Sequence, residues 1–136
     1  MKLVLLDIDG VLNHSNTEWN EWAEGSCVDV LNAITKTNDA KIVVVSAQRI
    51  GHDAEYMADM LASVGVEAEL VGITPELGVR DAEIKEWVVG HADMITSMVL
   101  IDDSYSARYN DIQVQTEWEH GLQDKHIEQA NEILNK

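Results

Sequence analysis

This sequence predicts an α/β fold: three Rossmann-like layers around a central, mainly parallel five-stranded sheet. Short runs rich in β-branched and aliphatic residues alternate along the chain with segments whose apolar residues recur at i, i+3, i+4 and i+7. The runs are continuous rather than alternating, which is the pattern of strands covered on both faces and therefore of a parallel sheet with crossover helices. A third observation agrees with these two. Residues able to do chemistry follow the apolar runs directly, and sites in such sheets gather beyond the carboxyl ends of the strands.

The elements follow in chain order. Leu3 to Ile8 is the first strand. A polar stretch, residues 13–25, carries Trp19 and Trp22 and leads to a helix with the apolar face Cys27, Val30, Leu31 and Ile34, for which Ser26 is the expected N-cap. Ile42 to Val45 is the second strand. The second helix, with Met57, Met60, Leu61 and Val64 inward, closes on Gly65 at C′. Glu67 to Val71 is a weaker, edge-like strand. Asp81 is the expected cap of a third helix bearing Ile84, Trp87, Val88 and His91, with Gly90 disturbing its last turn. Met98 to Ile101 is a buried strand and Ile112 to Gln115 the other edge. A last helix, with Ile127, Ala130 and Leu134, is expected to start at Asp124. Met and Trp at these helical spacings read as core, as does Cys27, and His91 reads as a core margin. The crossovers between the parallel strands are expected to be right-handed.

A chain of 136 residues predicts one domain, 1–136, long enough to bury roughly 70% of its unfolded surface. Its hydrophobic content of 46% excludes bulk disorder. Twenty-five acids against nine bases leave a formal net charge of −16. That balance excludes extended duplex binding, which needs rows of Lys and Arg against phosphates, and docking on an anionic membrane. Cys27 is the only cysteine, so neither an internal disulfide nor a multi-thiolate zinc site is available. The five histidines show no metal-ligand spacing. Leu3 to Leu6 is too short for a signal-peptide core, and no apolar run is long enough to cross a membrane. The expectation is a soluble, acidic, cytoplasmic protein.

Three strand ends carry the chemistry. The first strand runs into Asp7-Ile8-Asp9-Gly10, two carboxylates whose burial demands compensation, beside a glycine that permits a sharp turn. The second runs into Ser46-Ala47-Gln48-Arg49, where a hydroxyl and exposed backbone N–H groups either suit an anion or serve simple turn chemistry. Met98 to Ile101 runs into Asp102-Asp103, adjacent like charges at a buried end. If that strand neighbours the first, Asp7, Asp9, Asp102 and Asp103 converge, and such an all-oxygen cluster calls for a hard divalent cation, Mg²⁺ above all.

The run Asp7-Ile8-Asp9-Gly10-Val11-Leu12, Ser46, a later basic residue and Asp102-Asp103 resemble the four motifs of the haloacid dehalogenase (HAD) superfamily. Ser26 to Asn32, Arg80 to Trp87, and Val114-Gln115-Thr116 through Gly121-Leu122 are similar, more narrowly, to the small HAD-like domain of Swiss Army Knife RNA repair proteins. The resemblance covers nearly the whole chain. One position departs from it: those domains usually have a tryptophan between Ser46 and Arg49, where this chain has Gln48.

The resemblance implies a HAD core without a cap and a phosphatase working through an aspartyl-phosphate. Asp7 would be the nucleophile and Asp9 the general acid and base. Mg²⁺ would be held by Asp7, the Asp9 carbonyl, Asp102 and Asp103. Ser46 would hold a phosphate oxygen, with Gly10, Ala47 and Arg49 also lining the substrate. Arg80, at a helix start facing the strand ends, is preferred to Lys85 as the third-motif cation. Residues 13–25 fall where the family has a flap; Trp19 and Trp22 either stack on substrate or pack the flap down. Tyr105 and Arg108 either touch substrate or lie in a solvated loop. The connections leave no room for a separate cap domain, so the site is expected to be open. The expected substrate is a small phosphoester, a nucleotide or a nucleic-acid terminal phosphate. The competing readings are a non-catalytic metal-binding or interaction module on the same fold and an acidic surface that masks a basic partner.

Overall fold

The computed structural model describes residues 1–136. Five strands, β1 (Lys2–Leu6), β2 (Lys41–Val44), β3 (Leu70–Ile73), β4 (Ser97–Asp102) and β5 (Gln113–Gln115), form one sheet in the order β3-β2-β1-β4-β5, with every pairing parallel. Four helices, α1 (Gly25–Asn38), α2 (Ala54–Ser63), α3 (Arg80–Gly90) and α4 (Lys125–Leu134), connect and follow them. No helix is long and apolar enough to cross a membrane.

The side-chain alternation of a strand divides the core in two. Val4, Leu6, Ile42, Val44, Val99 and Ile101 face one way and pack with residues of α1, α2 and α4, including Leu31, Ile34, Met57, Ala130 and Leu134. Leu3, Leu5, Val43, Val45 and Leu100 face the other way and pack with Ile84 and Trp87 of α3 and with Tyr109. Burial on both faces explains the unbroken apolar runs. Trp87 lies so close to β3 that a Cβ on Gly72 would come within 2.7 Å of its indole Nε1, so a glycine there lets α3 approach the sheet.

Several local expectations are corrected. The edge strand begins at Leu70 rather than Glu67, because Asn32 grips the preceding turn: its Nδ2 donates to Gly65 O (2.8 Å) and its Oδ1 accepts from Glu67 N (3.0 Å). Helix α1 starts one residue before Ser26, with Glu24 at the N-cap position and no side-chain cap bond. Asp81 lies inside the first turn of α3, and its carboxylate instead accepts from Ser106 Oγ (2.7 Å) and Arg108 N (3.3 Å). Asp124 makes no cap bond either. The buried His126 takes that part, its Nδ1 accepting from Gln123 N (2.9 Å), a role open only to the neutral ring, and burial holds its pKa below the usual value.

Residues 13–24 fold over the carboxyl edge of β1 as a series of turns without helix or strand. The stretch is tied down at its base, where Asn13 Nδ2 donates to Trp22 O (2.8 Å) and Glu24 N donates to Leu12 O (2.7 Å). The two tryptophans divide: Trp22 packs on the core, whereas Trp19 is 94% exposed. No domain is inserted between any two strands.

Candidate active site at the carboxyl edge of the sheet

Strands β1 and β4 are adjacent and in register, Leu6 opposite Ile101, so the residues that follow them meet. Asp7 N donates to Ile101 O (3.0 Å), one last rung of the ladder, which fixes where the Asp7 side chain leaves the sheet. Asp7 and Asp102 are 4% and 1% exposed. Carboxylate oxygens of Asp7, Asp102 and Asp103 lie within 4.8 Å of one another.

Arg80, the first residue of α3, reaches this cluster. Its Nη1 donates to Asp102 Oδ2 at 2.7 Å and lies 3.4 Å from Asp7 Oδ1. Lys85, one turn further along α3, is exposed. One guanidinium does not balance three carboxylates. Burial first, and then the Asp102 charge, push the Asp7 carboxyl up to about 8 against the opposing pull of Arg80. Burial and Asp102 push Asp103 up as well. Burial alone would lower the Arg80 pKa, but the charges of Asp7 and Asp102 outweigh it and raise it.

This donor set fits a hard divalent cation. The converging atoms are all oxygens, and three carboxylates share a single guanidinium. Gly10 closes the same corner. Its φ of +79° favours glycine, and a Cβ there would lie 2.3 Å from Asp103 Oδ2. Thr116 Oγ1 donates to Gly10 O (2.6 Å) and holds the turn from the β5 side.

Asp9 is placed differently from the expected four-carboxylate cluster. The chain leaves the ladder after Asp7 and turns at Ile8, whose carbonyl accepts from Val11 N and Leu12 N, so the Asp9 side chain swings away from its neighbours. Its Oδ1 accepts from Asn13 Nδ2 (3.0 Å) and Gln48 Nε2 (2.9 Å). Ser46 is 1% exposed and caps the short 3₁₀ turn Ala47–Arg49, its Oγ accepting from Gln48 N (3.2 Å).

Arg49, expected to line the substrate, borders a cavity beside the cluster, but it is 3% exposed and its donors are spent on the protein. Nη2 lies 2.8 Å from Glu83 Oε2, Nε donates to Thr74 O (2.8 Å), and Nη1 and Nη2 donate to Ser46 O (2.9 Å) and Pro75 O (2.8 Å). A buried guanidinium must satisfy its N–H groups, and here the β2 turn, the end of β3 and α3 do so. Glu83 also accepts from Leu77 N (2.8 Å) and Gly78 N (3.2 Å). Burial would raise its pKa, but those N–H groups and Arg49 hold it below the usual range.

The roles of Glu83 and Thr116 were not read from the sequence, although both fall in stretches that resemble the family. Glu83 carried a further signal, as an acid on the face of α3 that also carries Ile84 and Trp87. A cavity of about 570 Å³ opens beside the cluster, lined among others by Ala47, Ile50, Glu76, Arg80, Asp102 and Tyr105. Arg108 turns from it toward Tyr109, Nε donating to the phenol oxygen at 3.2 Å.

A family described as the HAD domain in Swiss Army Knife RNA repair proteins matches residues 3–127. No curated protein and no solved structure matches the chain.

Proposed function

The chain belongs to the family of HAD domains in Swiss Army Knife RNA repair proteins, and from that premise we propose that it is a Mg²⁺-dependent phosphomonoesterase acting on a nucleotide or a nucleic-acid terminal phosphate. One observation carries the reading. Asp7, Asp102 and Asp103 converge at the carboxyl edge of the sheet with Arg80 between the first two, and Asp9, outside that cluster, is held by Asn13 and Gln48.

In this reading an Asp7 oxygen attacks phosphorus, forming an acyl phosphate as the ester P–O bond breaks, and the leaving oxygen takes a proton from Asp9. Asp9 then accepts a proton from the water that attacks phosphorus, which releases phosphate and restores the Asp7 carboxylate. Arg80 and Ser46 hold non-bridging oxygens, with Gly10 and Ala47 lining the same corner. A Mg²⁺ held by Asp7, the Asp9 carbonyl, Asp102 and Asp103 would supply the positive charge that lets a carboxylate and a phosphate dianion approach.

The open edge, with no inserted domain above it, supports a substrate whose leaving group projects into solvent. Charge supports a short one. The two cations lining the cavity, Arg49 and Arg80, are both paired with acids, so no row of free cations awaits a nucleic-acid backbone. We place the activity in the cytoplasm, with no membrane partner.

The test is a panel of phosphomonoesters assayed with Mg²⁺ and with chelator. Hydrolysis that needs Mg²⁺ and falls to background in Asp7→Asn is expected, with a loss of about 10²–10⁴ in Asp9→Asn. Wild-type rates in Asp7→Asn overturn the proposal, and Mg²⁺ binding with no hydrolysis of any ester favours a non-catalytic module.

A further inference from the structure

Asp9 is held by two amides from different loops. Facing a carboxylate, which only accepts, both amides must present nitrogen, so their orientation is fixed by chemistry. Asn13 Nδ2 and Gln48 Nε2 both donate to Oδ1, at 3.0 and 2.9 Å. Both donors are anchored. Asn13 is 7% exposed, its Oδ1 accepting from Gly10 N (2.8 Å) and its Nδ2 donating also to Trp22 O (2.8 Å). Gln48 sits in the 3₁₀ turn, with its own N–H on Ser46 Oγ (3.2 Å), and the buried Arg49–Glu83 pair (2.8 Å) fastens that turn from below.

Two N–H donors fill the two lone pairs of Oδ1. When Asp9 carries a proton, the proton is therefore directed to Oδ2, and the side chain cannot rotate without breaking both bonds. A carboxylic acid that must deliver a proton needs this: one oxygen held, the other armed. Small misplacements of a reacting group are costly in rate.

We propose that Gln48, acting with Asn13, is a positioning residue that directs the Asp9 proton to the leaving oxygen and so suits the site to esters of poor leaving groups, the alkyl phosphates of sugars and nucleosides. The assignment rests on the phosphatase reading. An alkoxide needs that proton as the P–O bond breaks, whereas p-nitrophenolate leaves without it. Loss of Gln48 thus separates two classes of substrate, which a merely structural role does not do.

The experiment compares kcat/KM, which reports steps through departure of the leaving group, for p-nitrophenyl phosphate and a nucleoside 5′-monophosphate. Gln48→Ala should lose at least about tenfold on the nucleotide and less than about threefold on the aryl ester. Gln48→Glu keeps the shape of the side chain but faces Asp9 with an acceptor, so its loss on the nucleotide should be at least as large, with a melting temperature close to wild type. Equal losses on both esters, or no loss on either, overturn the assignment alone. Wild-type protein inactive on both esters overturns the phosphatase reading and this assignment with it.

Discussion

Arg80 stands 2.7 Å from Asp102 and 3.4 Å from Asp7, and it is the only guanidinium in contact with the carboxylate cluster. A cation in that position serves two purposes. It offsets the repulsion among two buried acids and the half-buried Asp103, and it offers charge to a phosphate seated against Asp7. Truncating it should cost more than packing, because a fixed donor aimed at developing charge is worth about 10²–10³ in turnover. Arg80→Ala is therefore expected to lose that much phosphatase activity, whereas Lys85→Ala, which removes an exposed charge on the same helix, should stay within about twofold of wild type. Parallel rate measurements on the two variants decide it, and the reverse ranking moves the cation five residues along α3. Asp7 and Asp9 teach a related lesson. Two acids two residues apart at a strand end are expected to join one cluster, but β1 ends at Leu6 and the turn at Ile8 sends Asp9 to Asn13 and Gln48 instead.

Elements were legible in the sequence where burial acts on both sides. β1, β2 and β4 have no exposed face, so their aliphatic runs are continuous, and the helices packed on one face, α1, α2 and α4, show apolar stripes. The sheet edges were less legible: β3 starts three residues later than its apolar run, because the Asn32 side chain takes the backbone of the α2–β3 turn. Helix caps failed at Ser26 and Asp81, where the chain enters the helix at Glu24 and Val79 instead, while Asp124 sits at its N-cap position without a side-chain cap bond. Of the candidate site, the carboxylate cluster was legible because the strand ends announce it. The Arg49–Glu83 pair was not, since a basic residue after Ser46 looks the same whether it faces the cleft or the sheet, and its partner lies in another element. That pair joins the β2 turn, the β3 end and α3. Removing one partner strands a buried charge, so Glu83→Ala is expected to destabilise the fold by about 3–5 kcal/mol. Replacing both, as Arg49→Met with Glu83→Leu, should recover most of that loss. Urea unfolding of the single and double variants measures it, and strict additivity of the two single losses would show that the pair does not act as a unit.

A formal charge of −16 makes the whole molecule self-repelling, and the fold gathers three of its acids into one corner with a single guanidinium. The consequence for stability has a sign. The Asp7 carboxyl, pushed from an ordinary value of 3.8 up to about 8 chiefly by burial, holds its proton in the folded state after the unfolded chain has lost it. Between those two values the folded state binds more protons, so stability falls as pH rises and the loss is complete above the folded value. In chelator the melting temperature should therefore drop between pH 5 and pH 8, and Asp7→Asn, which cannot titrate there, should show a shallower drop. Metal binding needs the carboxylates ionised, so added Mg²⁺ should act most at the upper end of that window. At a hundredfold excess over its dissociation constant it would contribute about 2.7 kcal/mol, or roughly 10 °C for a domain of this size. Asp103→Asn removes one charge from the cluster while keeping the shape that packs on Gly10, so in chelator it should melt above wild type. It should also gain less from Mg²⁺, having lost a ligand or the group that orients one. Thermal melts of wild type, Asp7→Asn and Asp103→Asn at pH 5 and pH 8, each with chelator and with millimolar Mg²⁺, separate the contributions. If Mg²⁺ moves none of the melting temperatures at pH 8, the three carboxylates do not form a metal site, and the phosphatase reading loses the charge that would let Asp7 approach a phosphate.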